Sequence, residues 1–203
     1  MDVQFIEDLA SSAPTPGGGG ACACVGVLAS ALASMVGNLT VGKAAYAQVE
    51  ADVYVVLEKL AALRGRLLEL VDEDARAFAP LAAAYKMPKA TDAERAAKNA
   101  ALQEALVGAC DVPYEIMETV GRVVRHIDFL AANGSRMALS DVGAAAAFAR
   151  AAADGASLNI FINAASLDDE AQAQRYRDAA EALAGRIRVK CDEIFAFVKD
   201  QVA

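Results

Sequence analysis

Four consecutive glycines, Gly17–Gly20, follow a proline-braced segment at residues 13–16 and lead directly into an apolar stretch. Glycine loses more conformational freedom on folding than any other residue, so a run of four is unfavourable to order. Glycines ahead of a helix also leave its first N–H groups open, which favours an anion there. A flexible connector would be glycine-rich too, but the prolines stiffen the entry, which a connector does not need. We therefore expect the backbone here to lie close to another group or a ligand.

The stretch after the glycines predicts a central helix and, with it, an all-α fold. Residues 21–39 are apolar on every side, as in a helix surrounded by other helices. Hydrophobic residues make up 56% of the 203 residues and aromatic ones only 6%, so aliphatic side chains must build the core. We predict a single domain over residues 1–203, a bundle of five to seven helices that includes long, kinked ones.

A stripe of small residues runs along this central helix at every fourth position. It allows another helix to approach closely, either from the same chain or from a two-fold-related copy. The stripe consists of Cys22, Gly26, Ser30 and Ser34.

Periodicity and end signals place the other helices. Pro80 is expected to kink its helix or end it one turn early, and Pro113 to kink the next one. Thr91–Glu94 is typical of a capping box, and Asn133-Gly134 of a helix end. The predicted helices span residues 3–10, 46–85, 91–132, 142–153 and 168–203.

The segment before the last helix is harder to assign. Asp154-Gly155 is expected to end or bend the helix that starts at residue 142. Residues 158–163 alternate like a strand, but they are short and isolated among helices, so we favour a helix there.

Charge and cysteine content narrow the functional classes. The formal net charge is −8 and no basic block is present, unlike the pattern of a nucleic-acid-binding protein. The N-terminus lacks the basic and apolar regions of a signal peptide, and the apolar run 21–36 is too short to span a bilayer. The four cysteines form no CxxC and no cluster with the single His126, so we expect buried thiols in a reducing compartment. We predict a cytoplasmic protein with no metal, membrane or nucleic-acid partner.

Residues 37–44 nearly match the phosphate loop GxxxxGK followed by Ser or Thr. Ala44 stands where the magnesium-binding hydroxyl is required, and helices rather than a strand are predicted before it, so a nucleoside triphosphatase is not expected. What this segment does provide is a positive Lys43, displayed by a glycine after the central helix.

Asp74 stands at the edge of an apolar helix face. It follows Leu70 by four residues and precedes Phe78 by four, although the cluster Asp72-Glu73-Asp74 is also compatible with a solvated face. A carboxylate beside the core is unfavourable unless it is paired or used, which makes Asp74 a candidate for chemistry.

Other polar residues have plainer explanations. Ser140 or Asp141 at a predicted helix start is explained by capping. Asn159 and Asn163 lie four apart among apolar neighbours, and a polar ligand is one of the partners that their amides can take.

Five short motifs resemble, in order, those of the cyclodeaminase/cyclohydrolase family of folate enzymes. Each is weak alone, but five in register are specific. They are Pro14–Gly19, Met35–Lys43, Asp74–Phe78, Ser140–Gly143 and Leu158–Asn163. The chain length, together with Asp111–Pro113 and Leu167–Asp169, is most similar to the methenyltetrahydrofolate cyclohydrolases of that family.

The resemblance implies a homodimer with the fold of the C-terminal half of formiminotransferase-cyclodeaminase and a folate pocket near the subunit interface. It implies reversible hydrolysis of 5,10-methenyltetrahydrofolate to 10-formyltetrahydrofolate in one-carbon metabolism, with no metal or organic cofactor. The positions that match the family motifs form the candidate site. Those implied as catalytic are Asp74, Asp141 and Lys43, and those implied as substrate-binding are Pro16, Gly17, Gly18, Gly19, Asn38, Phe78, Ser140 and Asn163.

The chemistry of that substrate suggests roles for these residues. A carboxylate, Asp74 or Asp141, would stabilise the cationic methenyl carbon and take a proton from the attacking water. Lys43 or the newly protonated aspartate would then return a proton to N5.

Two other functions fit the same motifs. One is cyclodeamination of 5-formiminotetrahydrofolate, in which N10 of the substrate attacks and ammonia leaves. The other is a non-catalytic helical protein that binds folate or serves as a scaffold, although a scaffold needs neither the glycine run nor a carboxylate beside the core.

Overall fold

A computed structural model describes residues 3–203, and all regular secondary structure in this part of the chain is helical, without a strand. The predicted all-α fold is therefore confirmed, with six α-helices, while the single domain over residues 1–203 stays a prediction. Two short 3₁₀ helices, Ala44–Tyr46 and Arg136–Ala138, complete the order. The α-helices are α1 (Val3–Ala10), α2 (Gly18–Asn38), α3 (Glu50–Lys86), α4 (Asp92–Asn133), α5 (Leu139–Ala164) and α6 (Glu170–Val202).

Helix α2 packs between α3 and α5, and its small residues are used inside the chain. Ser30 Oγ donates to the carbonyl oxygen of Leu60 on α3 at 3.0 Å. A Cβ atom added at Gly26 would lie 3.0 Å from Val120 Cγ2 and 3.3 Å from Leu67. The stripe thus lets α3 and α4 approach α2 closely, so it serves neighbouring helices of the same chain.

The directions of the helices determine which residues meet. Near the start of α2, Cys22 lies against Gly155 late in α5. Beyond the end of α2, Thr40 bonds Ser135, just before α5. The two helices are therefore antiparallel.

Helix α2 is longer than predicted. It has 21 residues and a mean hydropathy of 1.8, so by length and composition alone it is apolar enough to cross a membrane. Half of the most apolar stretch is buried in the fold, and the core helix of a globular protein passes the same test. The prediction that this apolar run is too short to span a bilayer was therefore wrong, because the helix that contains it is long enough.

The proline and capping predictions have mixed outcomes. The capping box is confirmed: the Thr91 side chain accepts from Glu94 N at 3.2 Å, and the Glu94 carboxylate accepts from Thr91 N at 2.9 Å. Helix α3 starts at Glu50 rather than residue 46 and continues through Pro80 to Lys86, so the early end was wrong.

Helix α5 differs most from its prediction. It follows directly from a 3₁₀ helix and starts at Leu139, so Ser140 and Asp141 lie in its first turn and cap nothing. It also passes through Asp154-Gly155, because glycine leaves room for Cys22: a Cβ at Gly155 would lie 2.6 Å from its Sγ. The favoured helix over residues 158–163 is confirmed.

Candidate active site

The first turn of α2 is capped by a carboxylate from another helix. Gly17 is the N-cap and has no side chain to accept a hydrogen bond. Instead Gly20 N donates to Asp74 Oδ2 of α3 at 2.8 Å. A Cβ at Gly19 would lie 2.1 Å from Asp74 Oδ1, so only glycine allows this approach. The glycine run thus permits close approach, as expected, but Gly18–Gly20 are helical rather than a loop.

A cavity of about 380 Å³ opens beside this contact. Its walls come from the segment before α2, the second half of α3, the middle of α4 and the end of α5. The lining residues that bear on function are Pro14, Thr15, Gly17, Gly18, Asp74, Phe78, Tyr85, Pro113, Asn159 and Asn163.

Asp74 has the only charged side chain among the lining residues. Burial raises its pKa above the usual value for aspartate, and the hydrogen bond from Gly20 opposes this only in part. Burial, and then the nearby charge of Asp74, raise the pKa of the Cys22 thiol to about 11. A half-buried carboxylate with no cationic partner among the residues lining its cavity favours a cationic ligand and is a stronger base than an exposed aspartate.

Two asparagine side chains present hydrogen-bond acceptors to the same cavity. Asn159 Nδ2 donates to Gly155 O at 3.1 Å, and Asn163 Nδ2 donates to Ala109 O at 2.7 Å. With the amide nitrogens engaged, each Oδ1 is left to accept from a ligand. Asn159 Oδ1 lies close to Gly18, 3.5 Å from where a Cβ would stand.

The structure divides the sequence-predicted site residues into two groups. Gly17, Gly18, Asp74, Phe78 and Asn163 line the cavity. Gly19 touches Asp74, and Pro16, preceded by a cis peptide bond, lies between the lining residues Thr15 and Gly17.

The second group lies at the other end of the α2–α5 pair. It consists of Asn38, Lys43, Ser140 and Asp141. Eighteen residues of helix separate Gly20 from Asn38 on α2, and Asp141 from Asn159 on α5, which corresponds to about 27 Å. Lys43 Nζ lies 3.4 Å from Ser135 Oγ, so it is held at this far end and does not reach Asp74 within one chain.

Sequence reasoning did not place Asn159 or Tyr85 in the site. Tyr85 follows Phe78 by seven residues, two turns along the same face of α3, so the spacing contained the signal. Asn159 was noticed for its spacing from Asn163 but matched no assigned role. Between residues 3 and 203, no three His, Cys, Asp or Glu side chains come together as a possible metal site.

Comparison with known proteins places this geometry in a family. The family model described as Formiminotransferase-cyclodeaminase matches residues 3–182. The chain is 42% identical to the methenyltetrahydrofolate cyclohydrolase of Methylorubrum extorquens, over 98% of this chain and 95% of that protein. It is 35% identical to formimidoyltransferase-cyclodeaminase of Rattus norvegicus, where 88% of this chain matches 33% of that longer protein.

A solved structure agrees with the sequence relatives. The crystal structure of formiminotetrahydrofolate cyclodeaminase from Thermotoga maritima superposes with a TM-score of 0.81 at 28% sequence identity. It covers all of this chain and 96% of the other. The chain belongs to the formiminotransferase-cyclodeaminase family.

Proposed function

We propose that this chain catalyses the reversible hydrolysis of 5,10-methenyltetrahydrofolate to 10-formyltetrahydrofolate. The observation that carries the proposal is the near full-length match, at 42% identity, to a protein named methenyltetrahydrofolate cyclohydrolase. The cavity beside Asp74 supports it, because its groups complement that substrate.

The substrate is a cation whose charge is shared between N5, N10 and the methenyl carbon. Asp74 supplies the opposite charge in a cavity whose lining holds no competing cation. The pterin ring carries several N–H donors, which the free Oδ1 atoms of Asn159 and Asn163 can accept. Phe78 and Tyr85 offer aromatic surface for the rings of the substrate.

Asp74 is the proposed general base. Water adds to the methenyl carbon, one of its protons goes to the carboxylate, and the carbon becomes neutral and tetrahedral. The bond from this carbon to N5 then breaks as its hydroxyl loses a proton and becomes the C=O of a formyl group, which stays attached to N10. N5 takes one proton and a second is released to solvent, so that cation plus water gives neutral product plus a proton.

We also propose that a second copy of the chain completes the site. Apolar side chains on α2, at its C-cap and on α3 stay 39–55% exposed, and Leu28 and Leu68 line one surface cavity together with α1. Several exposed apolar side chains on neighbouring elements are typical of an interface. These side chains are Leu28, Met35, Leu39, Tyr54 and Leu68.

In the proposed dimer the two-fold axis is perpendicular to α2, which makes the two α2 helices antiparallel, so the end of one lies beside the start of the other. The far-end group of one copy then approaches the Asp74 cavity of the other. We assign Lys43 of the partner subunit as the acid that protonates N5 and Asp141 of the partner subunit as a residue that orients the water or the pterin.

The first test is a spectrophotometric assay with 5,10-methenyltetrahydrofolate, measured against the spontaneous rate in buffer. Acceleration by the folded protein supports the cyclohydrolase, whereas no acceleration contradicts it. The same preparation is then given 5-formiminotetrahydrofolate, because the structural neighbour is a formiminotetrahydrofolate cyclodeaminase. Ammonia release from that compound, without methenyl hydrolysis, would favour the second reaction.

To test the composite site, the Asp74→Asn and Lys43→Met variants are purified separately, unfolded, mixed and refolded together. If the partner supplies Lys43, a random mixture recovers about a quarter of wild-type activity, since half of the dimers are mixed and each has one intact site. Recovery of nothing from two folded, inactive variants would contradict it. Lys89→Met, an exposed loop lysine, is the matched control and should stay active.

The remaining parts of the proposal concern cofactors, partners and location. Addition of water to a carbon that is already cationic requires no metal or organic cofactor, so activity should survive dialysis against a chelator. The net charge of −8 argues against a nucleic-acid partner, and no membrane partner is proposed. Four free cysteines suit the reducing cytoplasm.

A further inference from the structure

A second cavity, the α4–α6 groove, lies on a different face of α4 from the Asp74 cavity. Its volume is about 400 Å³. Arg122 and Arg125 of α4 line one wall, and Arg186 and Lys190 of α6 line the other. This concentration of positive charge stands out in a chain whose formal net charge is −8.

The arginines of the groove are uncompensated. Lys190 pairs with Asp128 at 3.7 Å and with Glu193 at 2.7 Å. By contrast, no carboxylate of the described chain lies within ion-pair distance of Arg122, Arg125 or Arg186, even though Glu118 lines the same groove.

The arrangement of these arginines maintains a local positive field. Arg122 and Arg125 are three apart on one helix, where like charges are neighbours and repel each other. The charge of Arg125 also acts on a neighbouring side chain: burial first, and then the charges of Arg125 and of Lys59 on α3, lower the pKa of His126. An anion bound between the arginines would relieve this repulsion.

The floor of the groove is apolar. Gly121 lies against α6 so closely that a Cβ there would be 3.4 Å from Ile187 Cδ1 and 3.9 Å from Leu183 Cδ1. The guanidinium groups of Arg122, Arg125 and Arg186 are exposed at the rim of the groove, and their planar donor forks match phosphate and carboxylate oxygens.

We propose that the α4–α6 groove binds a small anion with several phosphate or carboxylate oxygens, held by Arg122, Arg125 and Arg186. This inference is independent of the proposed catalytic function, because it requires no residue of the Asp74 cavity.

The test measures binding to the full chain by calorimetry and thermal shift, with pyrophosphate as the phosphate probe and citrate as the carboxylate probe. We expect saturable binding of at least one probe and a rise in melting temperature that follows mass action. Binding of pyrophosphate alone assigns phosphate chemistry, and binding of citrate alone assigns carboxylate chemistry. Binding of neither at low salt overturns the proposal.

The variant that tests the location is Arg122→Gln/Arg186→Gln, which should weaken binding by about tenfold or more through loss of charge-assisted hydrogen bonds. Arg175→Gln/Lys199→Gln removes the same number of charges from α6 outside the groove, and should bind within about twofold of wild type. Equal weakening in both double variants would mean that only net charge matters and would overturn a specific site.

Discussion

The two ends of the α2–α5 pair differ in how their polar groups are satisfied. At the Asp74 end, a carboxylate and two asparagine oxygens face a cavity, and burial raises the pKa of that carboxylate. At the Lys43 end, polar groups bond one another: Thr40 accepts from Ser135 N at 2.8 Å, and Arg136 N donates to the Tyr46 hydroxyl at 3.0 Å.

This difference separates ligand chemistry from structural support. Buried polar groups normally find partners within the protein, so unmatched acceptors around a cavity indicate a ligand. Matched groups at the far end stabilise the loop that displays Lys43. Under the proposed function, the substrate binds at the Asp74 end, and the Lys43 end acts through a second copy.

The largest expected effect comes from Asp74→Asn. The amide oxygen still accepts from Gly20 N, but the variant has neither the negative charge nor the base. We expect the rate of methenyl hydrolysis to fall about a thousandfold, within the range for loss of a general base and its charge. Thermal stability should hold or rise, because a poorly solvated charge is removed.

The matched control is Asp72→Asn, an exposed carboxylate two residues earlier on α3. It should leave the hydrolysis rate nearly unchanged. Equal losses of hydrolysis rate in the two variants would contradict a special role for Asp74, since removal of any negative charge from α3 would then lower the rate.

A smaller loss is expected from Gly19→Ala. The added Cβ would stand 2.1 Å from Asp74 Oδ1, so the carboxylate must move. A displacement of about 1 Å at a reacting group typically lowers the rate about a hundredfold. The same assay measures it, with circular dichroism to verify that the helices persist.

Gly65→Ala is the control for Gly19→Ala, because it replaces another glycine inside a helix of this fold. Gly65 lies in α3 with nothing within 4 Å of the added Cβ, so activity should be retained. Stability should rise by about 0.5–1 kcal/mol, the usual gain for alanine over glycine inside a helix. Full activity of Gly19→Ala would show that the position of Asp74 is not critical.

The same two ends show what a sequence can and cannot reveal. Periodicity, the capping box and the apolar α2 were sufficient for the all-α architecture, because these signals act between residues a few positions apart. Asp74 was identifiable because a charge beside Leu70 and Phe78 contradicts the apolar face on which it lies.

What the sequence did not reveal depends on distant contacts. No local pattern states that Asp74 caps α2, across 54 residues of chain. The capping interpretation of Ser140 and Asp141 failed because a 3₁₀ helix extends α5 backwards, which propensity does not specify. The sequence resemblance grouped all the family motifs into one site. Within one chain, however, the length of α2 and of α5 separates two groups of these residues by about 27 Å.

The pH dependence sharpens the comparison at the Asp74 end. The general base must be ionised, and burial raises its pKa, so activity should fall as pH decreases through that raised value. The decline in kcat/KM should be about tenfold per pH unit and should begin at a higher pH than for an exposed aspartate. The residual rate of Asp74→Asn should lack this acid limb.

The linkage to stability has a defined sign. The folded state holds the Asp74 proton more tightly than the unfolded state, so its contribution to stability is present at low pH and is lost as pH rises through the raised pKa. The stability of Asp74→Asn relative to wild type should therefore increase with pH across that window. Denaturant titrations at several pH values measure it, and a flat difference would mean that the pKa is not raised.

The smallest effect on activity is expected at the far end, from Thr40→Val. Thr40 is fully buried, accepts from Ser135 N at 2.8 Å and donates to Val36 O at 2.7 Å. Valine fills the same space but leaves a buried N–H unpaired, which should destabilise the fold by about 1–3 kcal/mol. Because Arg136 N still donates to the Tyr46 hydroxyl, the segment that displays Lys43 should stay in place, so we expect kcat and KM within about twofold at temperatures where the variant is folded.

Thr119→Val is the control for that substitution. Thr119 Oγ1 is buried with no hydrogen-bond partner in the part of the chain that the structure covers, so valine there should be neutral or stabilising. The difference in unfolding free energy between the two variants then isolates the Thr40 hydrogen bonds from the loss of a hydroxyl as such. A folded Thr40→Val with a tenfold lower kcat would instead show that these two hydrogen bonds are needed to hold the segment bearing Lys43 in position for catalysis.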